Sequence, residues 1–386
     1  MQIVPVAGGK GGVGKSLVAT NLAIGLGQAG KRVVLADLDL GGSNLHLMLG
    51  VNLSGTGIGS FITSEKKSFA DIVVETEYEN VSFIAGDNEI PGIANLTTSQ
   101  KRMLISRLRA LDTEYLILDL GAGSSFNVMD FFLMSGRGLI VTSPTPTATV
   151  NAYVFLKNVM FRILNNSFKK KSAAAAYLES LRKDGSPELQ RVYIPAVIEK
   201  VKKIDPESHA AYIANASRFV PRLVMNMVED PRDADKANRL RRSCQQYLGI
   251  DLEYYGVIYR DDLQDIALGS KLPIIVYKPN SVLAQGVYRI ADKMIEDYAL
   301  GEQSDGESPL EYDGIDESYE EAGMQAAADF EAKMEYVEEL LHTGALSTGD
   351  LVETVKSQQI EIQHLKKENA LLKSKIVKAI GRGVRI

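Results

Sequence analysis

The sequence predicts an α/β fold: a doubly wound, mostly parallel sheet with helices on both faces. Two observations carry this. Several β-forming runs are apolar almost without interruption, at 32–39, 81–86, 115–120, 138–143, 221–228 and 255–258. That is the pattern of strands buried on both sides, not the alternation of a half-exposed antiparallel sheet. Helical periods at 17–28, 99–111 and 148–164 separate the earlier runs, as parallel crossovers require. With 386 residues, 45% of them hydrophobic, the chain can bury a substantial core, and its length suits one large domain plus additions.

The first strand, carrying Ile3, Val4, Pro5 and Val6, runs into Gly8-Gly9-Lys10-Gly11-Gly12-Val13-Gly14-Lys15-Ser16. Gly9, Gly14, Lys15 and Ser16 meet the pattern G-x-x-x-x-G-K-S of a phosphate-binding loop. Its glycines let successive backbone N–H groups curl round a phosphate at a helix N-terminus. Lys15 then reaches the β- and γ-phosphates, and the Ser16 hydroxyl sits on Mg²⁺. Lys10 is an extra cation that an ordinary loop of this kind does not need. At that place it supplies charge stabilisation of the arginine-finger type.

The run Lys10–Ser16, KGGVGKS, resembles the deviant Walker A motif of the ParA/MinD family of P-loop ATPases, and within it the MinD- and FlhG-like members. The resemblance implies a P-loop NTPase fold of the SIMIBI type, with ATP and Mg²⁺ as ligands. It also implies a homodimer in which Lys10 reaches the nucleotide of the partner subunit. The loop contacts to nucleotide fall on Gly9, Lys10, Gly11, Gly12, Val13, Gly14, Lys15 and Ser16.

The second strand ends in Asp37-Leu38-Asp39, followed by Leu40-Gly41-Gly42-Ser43-Asn44. Acids at strand C-termini lie where α/β sheets bind ligands. The same acids can also cap the helix beginning near Ser43. Asp37, Asp39 and Asn44 match the family's switch I position by position. By resemblance Asp39 orients or activates the attacking water and Asp37 helps hold the Mg²⁺ water shell. Tyr115 to Leu118 lead into Asp119-Leu120-Gly121-Ala122-Gly123, the layout of a Walker B strand. Asp119 takes a water of Mg²⁺, and Gly121 and Gly123 leave room for the γ-phosphate and for backbone movement. Asn226 falls by resemblance at the adenine edge, where an amide both donates and accepts. Where the family continues into Pro-x-Asp, this chain has Tyr259-Arg260-Asp261, and Tyr259 or Arg260 offers a stacking surface for a purine.

The ATPase domain is expected over 1–300. It contains a helical insertion, about 165–218, where the family has a shorter connection. The insertion carries Lys169, Lys170, Lys171, Lys200, Lys202 and Lys203. These lysines suit DNA phosphate or an anionic membrane, while a merely solvated face is the plainer reading and DNA the less favoured partner. Residues 301–340 hold fourteen Asp/Glu against one Lys, so 301–347 reads as an acidic, largely disordered linker. Heptads at Leu351, Val355, Gln358, Ile362, Leu365, Asn369, Leu372 and Ile376 predict a coiled coil over 348–376, with an amphipathic helix docked on the ATPase domain as the alternative. The basic, apolar tail 377–386 suits an anionic bilayer surface or a frayed end equally.

Composition excludes some classes. One cysteine, Cys244, rules out an internal disulfide framework, and His46, His209, His342 and His364 have no ligand spacing. No apolar run approaches the roughly 18 residues of a membrane span, and the N-terminus lacks a signal-peptide layout. The expected location is therefore the cytoplasm, or peripherally the inner face of the cytoplasmic membrane. The leading functional reading is a Mg²⁺-dependent ATPase whose ATP-bound dimer is a switch for intracellular positioning of a division site, flagellum or chromosome, together with an activating or positioning partner protein. An iron–sulfur carrier or other assembly ATPase of the same fold, and a non-catalytic nucleotide-binding scaffold, are the alternatives.

Overall fold

The two strands that carry acids near their C-terminal ends are buried along their whole length. Every residue of β2, Val33–Leu38, and of β5, Tyr115–Leu120, is out of solvent. The structure is a computed structural model that describes residues 1–51, 57–64, 68–86, 96–183, 193–303 and 314–342, with Gly349 and Lys356 as isolated positions. With β1 (Gln2–Ala7), β3 (Val73–Glu75), β4 (Val81–Ile84), β6 (Leu139–Thr142), β7 (Arg222–Val228) and β8 (Glu253–Tyr259), they form one eight-stranded sheet in the order β3-β4-β2-β5-β1-β6-β7-β8. All pairs are parallel except β3 with β4. The short strand β3 was not anticipated; at three residues it is too brief to show a period in the sequence.

Adjacent strands β1 and β5 send the chain in opposite directions, to β2 on one side and to β6 on the other. A crevice opens at such a switch point, outside the strand C-termini, and there ligands bind. The helix α1, Lys15–Gln28, leaves β1 at that point. Val18, Ala19, Leu22, Ala23, Ile24 and Leu26 on it are at most 1% exposed. α1 is held between β2 and β5 on one side and the helix Val282–Gln303 on the other. Burying each of the larger side chains contributes about 1.5–3 kcal/mol, so the phosphate loop is pinned to a rigid helix. On the opposite face Phe132 stacks edge-on against Phe155 and Phe219, at 5.2 and 6.1 Å. Residues 165–218 contain the helices Ala173–Lys183, Ile194–Ile204 and Pro206–Ala216. Among the described residues no helix is long and apolar enough to cross a membrane.

One expectation fails. The acidic stretch 301–347 is not a disordered linker throughout, because Gly314–His342 is a helix. Its first half covers the edge strand β8. Ile315, Tyr319, Ala322 and Ala326 are buried at helical spacing, the Tyr319 hydroxyl donates to the Leu252 carbonyl at 3.0 Å, and the Tyr259 hydroxyl donates to the Ala326 carbonyl at 2.7 Å. Three of the acids meet cations: Asp316 with Arg241, Glu321 with Lys293 and Asp329 with Arg289. A high net charge hid an apolar stripe that needs only one residue in three or four. Phe330 onward forms a second compact unit, described here only as the rest of that helix to His342. The predicted coiled coil at 348–376 and tail at 377–386 lie outside the described residues, apart from Gly349 and Lys356.

Candidate nucleotide site

Glycines shape the loop between β1 and α1 for two distinct reasons. Gly12 and Gly14 sit at φ 78° and 86°, in the left-handed region that side chains avoid. Gly9 is required by proximity, since a Cβ there would lie 2.0 Å from the Asn151 carbonyl oxygen. Gly14 is required on both grounds, because its Cβ would lie 2.1 Å from Asn226 Nδ2. That amide donates to the Val13 carbonyl at 2.9 Å. Asn226, expected at the adenine edge, thus has one donor committed to bracing the phosphate loop. Gly11 and Lys10 are exposed, whereas Lys15 is only 8% exposed at the start of α1.

The register of β2 on β5 places Asp37 beside Asp119. Both carboxylates are buried, Asp37 at 0% and Asp119 at 2% exposure. Asp37 accepts the Ser43 hydroxyl at 2.6 Å and the backbone N–H groups of Asp39 and Leu45 at 3.1 and 3.3 Å. Burial nevertheless outweighs these bonds and pushes its pKa up to about 6. Asp119 is pushed up to about 7, first by burial and then by the charge of Asp37, against the opposing pull of the Ser16 hydroxyl and Lys15. Its Oδ1 is buried without a hydrogen-bond partner.

Two buried carboxylates that repel each other, an orphaned acceptor and a serine hydroxyl fit a hard cation with oxygen ligands. Among the described residues no three His, Cys, Asp or Glu cluster as a metal cage. Mg²⁺ does not need one, because it typically takes one or two carboxylates, several waters and the phosphates of a substrate. Ser16, Asp37 and Asp119 are the residues that would hold it.

Asp39, half-buried, leans over the Walker B turn: a Cβ on Gly121 would lie 2.9 Å from its Oδ1. Gly121 therefore makes room for Asp39 itself. Gly123 lies at φ 89° with open space around it, so only its backbone conformation calls for glycine. Asn44 is exposed at the start of the short helix Leu45–Met48. Tyr259 cannot serve a purine, since it is 0% exposed and its hydroxyl is spent on Ala326; Arg260 is exposed and faces Glu229 and Asp262 at 3.3 and 3.6 Å. The sequence marks Ser43 only as the neighbourhood of a helix start and does not show its hydroxyl as a partner of Asp37. The signal was a serine six residues after a strand-terminal aspartate, across a Gly-Gly turn.

A phosphate loop at a switch point, backed by a buried carboxylate pair, defines a nucleotide-binding α/β domain of the P-loop class. Residues 1–165 match the family model described as ParA: NUBPL iron-transfer P-loop NTPase, and this part of the chain is a ParA-family P-loop NTPase domain. The chain is similar to the antiactivator FleN of Pseudomonas aeruginosa, 29% identical over 184 residues, which span 43% of this chain and 61% of FleN. It is also similar to the septum site-determining protein MinD of Helicobacter pylori, 27% identical over 262 residues, which span 65% of this chain and 92% of that protein. Among solved structures, MinD of Pyrococcus horikoshii complexed with Mg-ADP superposes with a TM-score of 0.52 at 18% identity, covering 79% of this chain and 99% of its own. That likeness shows the fold, an eight-stranded, mostly parallel sheet flanked by helices.

Proposed function

We propose that the chain is a Mg²⁺-dependent ATPase that acts as an ATP-driven dimerisation switch in intracellular positioning. The observation that carries this reading is the buried Asp37–Asp119 pair beside Lys15 and Ser16, with a second lysine, Lys10, left exposed at the mouth of the same loop. Lys15 and the loop N–H groups hold the β- and γ-phosphates. When bound, Mg²⁺ neutralises charge on the phosphate oxygens. Asp39, seated against Gly121, orients the attacking water near the γ-phosphate. Lys10 is aimed outward, free to meet the nucleotide of a second copy. The γ-phosphate must favour the dimer over the monomer, because a ligand that binds two states equally shifts nothing.

The positioning role leans on the name of one relative, a septum site-determining protein, beside an antiactivator. Pairing through 348–376 and membrane contact through 377–386 belong to the same proposal. Sedimentation with and without ATP tests the switch. Lys10→Ala should keep ATP affinity and lose ATP-dependent dimers; equal loss of ATP affinity in Lys10→Ala and Lys15→Ala would sink the trans role of Lys10.

An iron–sulfur carrier is the reading to which the family description points. Such a carrier needs accessible thiolates. The chain has one cysteine, Cys244, and burial pushes its thiol up to about 12. The buried, protonated thiol favours the positioning ATPase.

A further inference from the structure

The helix Pro206–Ala216 in the insertion is fixed at both ends and unusually plain on its outer side. Asp205 caps its start, accepting from the Ser208 backbone and hydroxyl at 3.1 and 2.8 Å, and also accepts the Ala174 N–H at 3.3 Å. At the other end Asn215 Nδ2 donates to the Ser167 hydroxyl at 2.9 Å. Ser208 and Tyr212 point inward and are buried. The outward positions Pro206, Ala210, Ile213 and Ala214 are exposed and carry no charge, with Ile213 47% exposed. The helix has one charged side chain, Glu207, and that is paired with Lys169.

Cations flank this stripe. The Lys169–Glu207 pair draws the exposed turn Lys169-Lys170-Lys171 to the helix N-terminus. The preceding helix ends in exposed Lys202, Lys203 and Ile204, the last 37% exposed, with Asp205 alone between. Arg218 is exposed just past the C-terminus. Over 165–218 the sequence holds ten Lys/Arg against six Asp/Glu, inside a chain of net charge −6. Among the described acids of the insertion, Asp205 is bonded to Ser208 and Glu207 is paired with Lys169. An uncharged aliphatic stripe bordered by lysines is the arrangement by which a helix lies in the headgroup region of an anionic bilayer: the aliphatic side chains enter the acyl boundary while the lysines meet lipid phosphates.

We propose that this insertion face, centred on Ile213 and flanked by Lys170, Lys171, Lys202 and Lys203, is a docking surface for an anionic lipid bilayer. Its residues are other than those of the nucleotide site and of the C-terminal tail. A nucleic acid would use the lysines but has no use for an exposed uncharged stripe centred on Ile213, so the aliphatic component decides the class of partner. Each juxtamembrane lysine removed should weaken binding about five-fold.

The test is co-sedimentation of the full chain with vesicles of phosphatidylcholine alone or with about one-third phosphatidylglycerol, a content in the range where polybasic segments respond. The wild-type chain should bind only the anionic vesicles. Ile213→Asp and the pair Lys170→Glu/Lys171→Glu should each weaken that binding by roughly ten-fold or more, with ATP turnover in the absence of lipid unchanged. Because turnover is read separately, failure of the ATPase reading and failure of this one are distinguishable. A tail variant, Ile380→Asp/Val384→Asp, separates the two candidate surfaces. If it abolishes binding while Ile213→Asp does nothing, the tail is the anchor and the proposal falls. Binding of labelled duplex DNA that depends on the lysines but not on Ile213, without vesicle binding, would likewise overturn it.

Discussion

The nucleotide end of the sheet and the 165–218 insertion place charge in opposite ways. Asp37 and Asp119 are buried at 0% and 2% exposure, and burial makes them hold protons to about pH 6 and 7. The insertion's lysines at 170, 171, 200, 202 and 203 stand in solvent. Chemistry that must bind a cation and a triphosphate needs charges taken from water, where each interaction is strong and each misplacement costly. Recognition of an extended anionic surface needs charges left in water, many and individually weak. Substitutions should therefore be severe at one end and mild at the other.

The largest expected effect is Lys15→Ala, which removes the cation proposed to meet the phosphates and should reduce ATP affinity below detection by calorimetry. Retained turnover in this variant would contradict the site outright. Next, Asp39→Ala should lower turnover about 10²–10⁴-fold while ATP remains bound; Gly121→Ala should act in the same direction, because its Cβ would meet Asp39 Oδ1 at 2.9 Å. Unchanged turnover in Asp39→Ala would transfer the water-orienting role to Asp37.

A pH titration sharpens the comparison further. Both buried acids have folded-state pKa values raised above 3.8. Between about pH 4 and 7 the native state thus binds more protons than the unfolded chain, and stability of the Mg²⁺-free protein should fall as pH rises through that window. Urea unfolding across it measures the slope, and saturating Mg²⁺ and ATP should flatten it. A slope of the opposite sign would mean that the pair is already neutralised by a protein cation. Smallest of all, Ile213→Asp should change unfolding free energy by no more than about 0.5 kcal/mol, as at an ordinary exposed position. A loss of several kcal/mol would show that the insertion face is packed against something.

What was legible in the sequence is what lies contiguously along it. The phosphate loop, the strands ending in Asp37 and Asp119, and α1 are short-range patterns of residue type and spacing, and each stands where the pattern put it. The helix over 314–329 was equally local but masked, because fourteen acids over 301–340 outweighed an apolar stripe at Ile315, Tyr319, Ala322 and Ala326.

The sequence by itself determined the class of fold, the glycine-rich loop that opens α1 and the strands that carry Asp37 and Asp119, since those follow from local backbone and side-chain chemistry. Only the tertiary structure decided how these groups meet. Strand order brought Asp37 against Asp119 and raised both pKa values. Asn226, 213 residues from Val13, became a brace for the loop. Tyr259 was sealed under the helix Gly314–His342 and withdrawn from the nucleotide. Each outcome depends on which strand lies beside which, and on what covers the sheet edge. Neither is set by any short stretch of chain, because burial and long-range pairing exist only once the sheet has closed.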